Sequence, residues 1–135
     1  MPQTVIALVE DLMFIAKLRL AAQETGAALQ VTHDAEELLR LARSGAPTLL
    51  LLDLNFGRAD ALALAAQLHA VVGPRGIPIA GFLSHVQAER AQQALHAGCA
   101  AALARSAFVQ HLPALLRDGL AALPPALLPP PSPAA

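Results

Sequence analysis

Five short apolar runs, at Thr4–Val9, Ala28–Val31, Thr48–Leu52, Ile77–Leu83 and Cys99–Ala104, are separated by longer segments with helical spacing. The runs are continuously apolar. Strands of that kind belong in a parallel sheet covered on both faces, because either side of the pleat must meet an apolar neighbour. In the intervening segments apolar residues recur every three or four positions: Leu12, Ile15, Leu18 and Ala22; Leu38, Leu41 and Ala42; Leu62, Ala65, Leu68 and Val72; Ala91, Ala94 and Leu95. A last helix is expected to carry Phe108, Leu112, Leu115, Leu116 and Leu120. Strand-then-helix units repeated five times predict an α/β domain with a doubly wound, five-stranded parallel sheet and five helices.

The punctuation agrees with this order. Gly26, Gly45 and Gly98 each follow a helical run, where a left-handed cap residue is expected. Asp34 with Glu37 three residues on resembles a capping box. The segment GPRGIP at Gly73–Pro78 reads as a loop before the fourth strand. From Pro124 the chain runs PPALLPPPSPAA, and proline this dense cannot continue a helix. The folded domain is therefore expected to span residues 1–122, with 123–135 as a disordered Pro-rich tail. Such a tail also suits docking into an aromatic groove of a partner.

A length of 135 residues suits one domain with a real core. The net charge is −1 and no Lys/Arg cluster is present, which argues against direct nucleic-acid binding. Charged residues make up 14% of the chain and apolar residues 56%, mostly Ala and Leu, which leaves a face suited to a protein partner. One cysteine excludes an internal disulfide, and Cys99, heading an apolar run, reads as a buried small hydrophobe. The N-terminal TVIALVED has no basic segment before it, and no apolar run approaches the ~20 residues needed to span a bilayer. A soluble, cytoplasmic protein without membrane association is expected. The five histidines, His33, His69, His85, His96 and His111, show no metal-ligand spacing, and His69 and His96 are expected on helix surfaces.

Polar chemistry is concentrated where the apolar runs end. The first run ends in Glu10-Asp11 and the third, TLLLLDLN, in Asp53. Ligands of open parallel sheets bind beyond the carboxyl ends of the strands, where the strand order reverses. With the first and third strands as neighbours, three carboxylates share one pocket. Unit charges 4 Å apart repel by about 4 kcal/mol at an effective dielectric near 20, so the cluster calls for a cation or displaced pKa values. Hard oxygens with retained waters suit Mg²⁺. Singly, Asp11 also reads as a helix N-cap, Glu10 as a solvated loop residue and Asp53 as a turn residue. The fourth strand ends in Ser84-His85 and the fifth in Arg105-Ser106. A carboxylate nucleophile, a metal, a hydroxyl and a cation suit phosphoryl transfer to an aspartate. Plain alternatives are a strand-end cap for Ser84 and a surface salt bridge for Arg105. A phosphatase using a second Asp two residues after the nucleophile is disfavoured by Asn55, and a dinucleotide-binding loop by VEDLMF where G-x-G-x-x-G belongs.

These motifs, LVEDL, LLLLDLN, FLSH and ALARSAF, resemble those of receiver domains of bacterial two-component response regulators, over about Thr4 to Leu120. The resemblance implies a flavodoxin-like sheet of order 2-1-3-4-5. It implies that Asp53 is phosphorylated by a sensor histidine kinase or phosphotransfer protein, with Mg²⁺ held by Glu10, Asp11, Asp53 and the backbone carbonyl of Asn55. Ser84 takes the switch-hydroxyl position and Arg105 the position of the family's lysine. The implied role is that of a single-domain receiver that is no enzyme beyond accepting its own phosphoryl group. It would signal through a downstream protein partner on the face of the fourth and fifth helices, with homodimers formed through the region from the fourth strand to the fifth helix.

The chain departs from the family's pattern at several positions. Arginine replaces lysine at Arg105, and the two are not interchangeable. Gly57 stands for the usual proline, Asp60-Ala61 for Asp-Gly, and Ser106 for the proline after the lysine. Bulky His85 follows the switch hydroxyl and restricts access to Asp53, Ala102 takes the place of the switch aromatic, and Phe108 sits one position late. The acidic pocket is thus expected intact and the relay to the output face altered. Two readings follow, a phosphorylatable receiver and a pseudo-receiver that binds partners independently of phosphorylation.

Overall fold

The computed structural model of the chain describes residues 3–84 and 87–129. Strand β1 (Thr4–Leu8) leads into helix α1 (Leu12–Thr25). The alternation continues through β2 (Ala28–Thr32), α2 (Ala35–Ser44), β3 (Leu49–Asp53), α3 (Ala61–Val72), β4 (Ile79–Leu83), α4 (Ala88–Ala97) and β5 (Ala101–Ala104). Two helices close the domain, α5 (Arg105–Gln110) and α6 (Leu112–Asp118). All strand pairs are parallel, in the order β2-β1-β3-β4-β5. This is the doubly wound sheet expected from the sequence.

Among the described residues there are six α-helices where five were expected. The extra one comes from Pro113, in the first turn of α6, which has no N–H to donate to the carbonyl four residues back. The chain turns instead at His111, whose N–H is shared between the carbonyls of Ala107 and Phe108 at 3.3 and 3.2 Å. The apolar stripe survives the break, since Phe108, Leu112, Leu115 and Leu116 are all buried.

Each central strand sends alternate residues into two cores. Val5, Ala7, Leu49, Leu51, Ala80 and Phe82 pack with Phe14, Ile15 and Leu18 of α1 and with the leucines of α6. Ile6, Leu8, Leu50, Leu52 and Ile79 pack on the other face with α2, α3 and Ala94 of α4. The leucine run of β3 is therefore an alternating strand with both phases apolar, and Leu49 to Leu52 are fully buried. Each such leucine contributes about 1.5–3 kcal/mol relative to an exposed one. The edge strand β2 is the exception, with Ala28 and Gln30 exposed.

Three helices begin on an aspartate whose side chain accepts first-turn N–H groups: Asp11, Asp34 and Asp60. Gly26 and Gly98 have the positive φ expected of them, at 77° and 120°. Gly45 does not: its φ is −96°, in the extended region. Glycine serves a different need there, since a Cβ would lie 2.8 Å from the Leu41 carbonyl oxygen. After α6, residues 120–122 and 125–127 each form a single 3₁₀ turn. Leu123 is buried and Leu127 and Leu128 lie against the α1-side core, so apolar residues among the prolines hold the chain down as far as Leu128. Residues 130–135 of the expected tail lie outside the described residues. Among the described residues no helix is long and apolar enough to cross a membrane.

Gly81 in β4 marks the tightest approach near the carboxyl edge. A Cβ there would stand 2.7 Å from Cδ1 and 2.9 Å from Cγ of the fully buried Leu54. Gly81→Ala is expected to lower the unfolding free energy by about 1–3 kcal/mol through overpacking. Leu54→Ala alone should cost about 2–5 kcal/mol. Urea denaturation of the double variant should show a loss smaller than the sum, because the space one change needs is supplied by the other.

Candidate functional site

The strand order reverses between β1 and β3, so the loops after them diverge and leave a crevice at the carboxyl edge. Leu8 is paired with Leu52, and Asp53 with Phe82, which brings Glu10-Asp11, Asp53 and Ser84 to the same edge. Glu10, Asp11, Asp53, Asn55, Ser84 and Arg105, expected at this edge from the sequence, stand there, and each has definite partners.

Asp11 is both helix cap and pocket carboxylate. Its Oδ1 accepts from the N–H groups of Met13 at 2.8 Å and Phe14 at 3.2 Å, and its Oδ2 accepts from Arg105 Nη1 at 2.8 Å. The Phe14 N–H is the main cause holding this carboxyl below its ordinary pKa; desolvation opposes it, and the Met13 N–H and Arg105 add to the lowering. Glu10 is turned the other way. Its Oε1 accepts from the Gly57 N–H at 3.1 Å and its Oε2 lies 3.2 Å from Arg58 Nε.

Asp53 is the buried member, 6% exposed. Its Oδ1 accepts from the Asn55 N–H at 2.8 Å, which fixes the carboxylate plane. Among the described residues Oδ2 accepts no hydrogen bond, and it is not a sealed atom: the one fully buried side-chain polar atom without a partner is Arg105 Nε. Oδ2 is therefore the carboxylate oxygen that no described protein donor occupies. Burial pushes the Asp53 pKa up; the Asn55 N–H and the Arg105 charge oppose this, while Glu10 and Asp11 add to it.

Arg105 is held by more than its ion pair. Its guanidinium lies 5.0 Å from the centroid of Phe14 and 5.9 Å from that of Phe82. These rings form a cluster with Phe108, at 4.7 to 5.9 Å between centroids. A planar guanidinium can stack there where a lysine ammonium would sit as a point charge. On the other side of the crevice, Asn55 Oδ1 accepts from both the N–H and the hydroxyl of Ser84, at 2.7 and 3.1 Å, and its Nδ2 donates to Gln87 Oε1 at 3.0 Å. Arg90 Nε donates to the Leu54 carbonyl at 2.7 Å. The start of α4 is thus tied to the loop that follows Asp53. His85, expected to restrict access to Asp53, lies outside the described residues.

Three contributors were not read from the sequence: Arg58, Gln87 and Arg90. Arg58 carried a usable signal, being a cation in the loop after an acidic strand end, but its choice of Glu10 depends on how two loops face each other. Asn55 was expected to offer its backbone carbonyl, and its carboxamide proves equally engaged. Ala102 on β5 is half-buried, with no aromatic at that position. Cys99 is buried and its thiol pushed up to about 12 by desolvation, which matches an inert core residue.

In donor type these residues fit Mg²⁺, which takes hard oxygens and keeps several waters. In arrangement, Glu10 and Asp11 are each already paired with a guanidinium, of Arg58 and Arg105. Among the described residues no three His, Cys, Asp or Glu side chains converge as a preformed metal cluster.

No protein-family model matches the chain, and no curated protein matches it. Solved structures do. A response regulator protein from Burkholderia pseudomallei, containing a phosphorylated aspartic acid, a calcium ion and citrate, matches with a TM-score of 0.73 and 23% identity over 86% of this chain and 67% of that one. A CheY-like response regulator receiver domain protein from Methanospirillum hungatei matches with a TM-score of 0.76 and 15% identity, over 90% of this chain and 95% of that one. A response regulator from Thermotoga maritima gives 0.74 and 14%, over 90% and 99%. The likeness is one of fold: the chain has the fold of response-regulator receiver domains.

The raised pKa of Asp53 has a consequence for stability. Above the folded-state value, the ionised carboxylate costs the fold stability. As pH falls through that value the carboxyl takes up a proton and the cost is relieved, and below the ordinary 3.8 the folded and unfolded chains are both protonated. In metal-free buffer near pH 7, Asp53→Asn is therefore expected to raise the urea midpoint, with the gain shrinking towards about pH 4. An equal or lower midpoint at neutral pH would contradict the assignment of burial as the dominant cause.

Proposed function

We propose that this chain is a receiver of a two-component phosphorelay, in which Asp53 takes a phosphoryl group from a sensor histidine kinase or phosphotransfer protein and a downstream protein reads the result. The observation that carries this reading is Asp53 Oδ2, an oxygen that no described protein donor occupies on a strand-end carboxylate whose Oδ1 is pinned by the Asn55 N–H. Pinning one oxygen leaves the other as the attacking atom and sets its direction. As the new O–P bond forms, the P–N bond to the donor imidazole breaks and its electron pair leaves with the imidazole nitrogen. The solved response regulator from Burkholderia pseudomallei, with its phosphorylated aspartic acid and calcium ion, supports the same chemistry on this fold.

Glu10, Asp11, Asp53 and the backbone carbonyl of Asn55 are the groups that would hold Mg²⁺, which when bound supplies positive charge against the phosphoryl oxygens. Arg105 is the protein's own cation at the site. Ser84 reaches a phosphoryl oxygen by giving up its 3.1 Å hydroxyl contact with Asn55. A phosphoryl group brings about −1.5 to −2 of charge and three acceptor oxygens, enough to compete for that hydroxyl. Asn55 also holds Gln87, so the exchange loosens the tie to the start of α4 and changes the face formed by α4 and α5. Partner binding, and any pairing of two copies, is assigned to that face.

The test is backbone amide NMR of the protein with Mg²⁺ and beryllofluoride, a phosphoryl mimic. Saturable shifts are expected at Asp53, Asn55, Ser84 and Arg105, and none in Asp53→Ala. Absence of any saturable response in the parent protein would sink phosphorylation at this site and leave the fold as a docking module.

A further inference from the structure

We infer that Arg58 is a tethered counter-ion that competes with a divalent cation for Glu10, and that it sets how tightly the acidic pocket holds that cation. The inference rests on the proposed use of Glu10 and Asp11 as cation ligands, and adds a residue that neither the sequence pattern nor the fold assigns to the site.

Both oxygens of each acid are already engaged. Glu10 has the Gly57 N–H on Oε1 and Arg58 on Oε2; Asp11 has the first turn of α1 on Oδ1 and Arg105 on Oδ2. Each carboxylate thus has one guanidinium neutralising it, and a cation entering between them displaces one or both. The two guanidinium groups are unequal competitors. The Arg105 side chain is 28% exposed, has its guanidinium carbon over Phe14 and Phe82 at 5.0 and 5.9 Å from the ring centroids, and has its Nε fully buried. Leaving Asp11 would take the guanidinium off the faces of Phe14 and Phe82. The Arg58 side chain is 69% exposed in the loop after β3, with water ready to solvate it. Its pair is the weaker kind, because an exposed pair gains little in high dielectric and costs side-chain entropy. Entry of the ion therefore begins at Glu10, by exchange of Arg58 for the cation, before Asp11 gives up any part of its pair with Arg105.

The physical consequence is an affinity held below what three carboxylates would otherwise provide. An exposed pair is worth roughly 0.2–1 kcal/mol, so removing the competitor should tighten cation binding by up to about fivefold. The change in net charge from losing any arginine acts at long range as well. The control is Arg43→Ala, at the opposite end of α2, where the same charge is lost away from the crevice.

The experiment is a Mg²⁺ titration of the full chain followed by amide shifts of Asp53 and Asn55, repeated with Mn²⁺ by paramagnetic broadening. Five proteins are compared: parent, Arg58→Ala, Arg43→Ala, Glu10→Gln, and the double variant Glu10→Gln with Arg58→Ala. The expected result is a two- to fivefold lower dissociation constant in Arg58→Ala than in both parent and Arg43→Ala, with no such gain in the Glu10→Gln background. If Arg58→Ala and Arg43→Ala bind Mg²⁺ saturably and equally, the competition is refuted and the receiver reading stands. If neither the parent nor Arg58→Ala binds saturably, both the competition and the cation-binding role of the pocket fall.

Discussion

A carboxylate at the end of a buried leucine strand has to be answered by charge or by hydrogen bonds, and the carboxyl edge of this domain is organised around that requirement. Asp53 is 6% exposed and follows four fully buried leucines. Two more carboxylates, Glu10 and Asp11, stand at the same edge and disfavour its ionisation. The answering groups come from the chain's turns: N–H groups of Met13 and Phe14 on Asp11, of Asn55 on Asp53 and of Gly57 on Glu10. In a parallel sheet the loops at this edge lead into helix N-termini, where amides are unpaired and the helix dipole is positive. The fold thus places its negative side chains where backbone donors are available.

The remaining charge is met by arginine. Arg105 reaches Asp11 while its plane lies near Phe14 and Phe82, and those rings belong to the same cluster as Phe108. The cation is therefore part of the core on the α1 side as well as part of the pocket. On the opposite side, contact between the pocket and α4 is made by hydrogen bonds: Asn55 to Ser84 and Gln87, and Arg90 to the Leu54 carbonyl. With the small Ala102 at the half-buried position on β5, these bonds are the described connections from the loop after Asp53 to the first turn of α4.

Legibility followed the range of the interaction. Strand β3 and helix α3 could be read from local pattern, because burial on both faces demands unbroken apolar residues and burial on one face demands a 3.6-residue repeat. Two local signals were misjudged. Pro113 breaks the last helix despite a continuous apolar stripe, since an absent N–H outweighs periodicity. Gly45 is needed for a close approach to the Leu41 carbonyl and not for a left-handed turn. At the site, Glu10, Asp11, Asp53, Ser84 and Arg105 were legible as strand-end residues. Their partners were not: whether Arg105 meets Asp11 or Asp53, and whether Ser84 meets Asn55, depends on Å-scale placement of loops far apart in sequence.

Taken alone, the sequence determined the alternation of strands and helices, the two apolar phases of β3, and the delivery of five polar side chains to one edge, because periodicity and strand ends are local properties of the chain. Only the tertiary structure decided the pairing of Arg58 with Glu10 and of Arg105 with Asp11, the placement of the Arg105 guanidinium over Phe14 and Phe82, and the tie from Asn55 to α4. Those depend on distances between separate crossover loops, and a guanidinium chooses its carboxylate by which one lies within about 3 Å once the loops are packed.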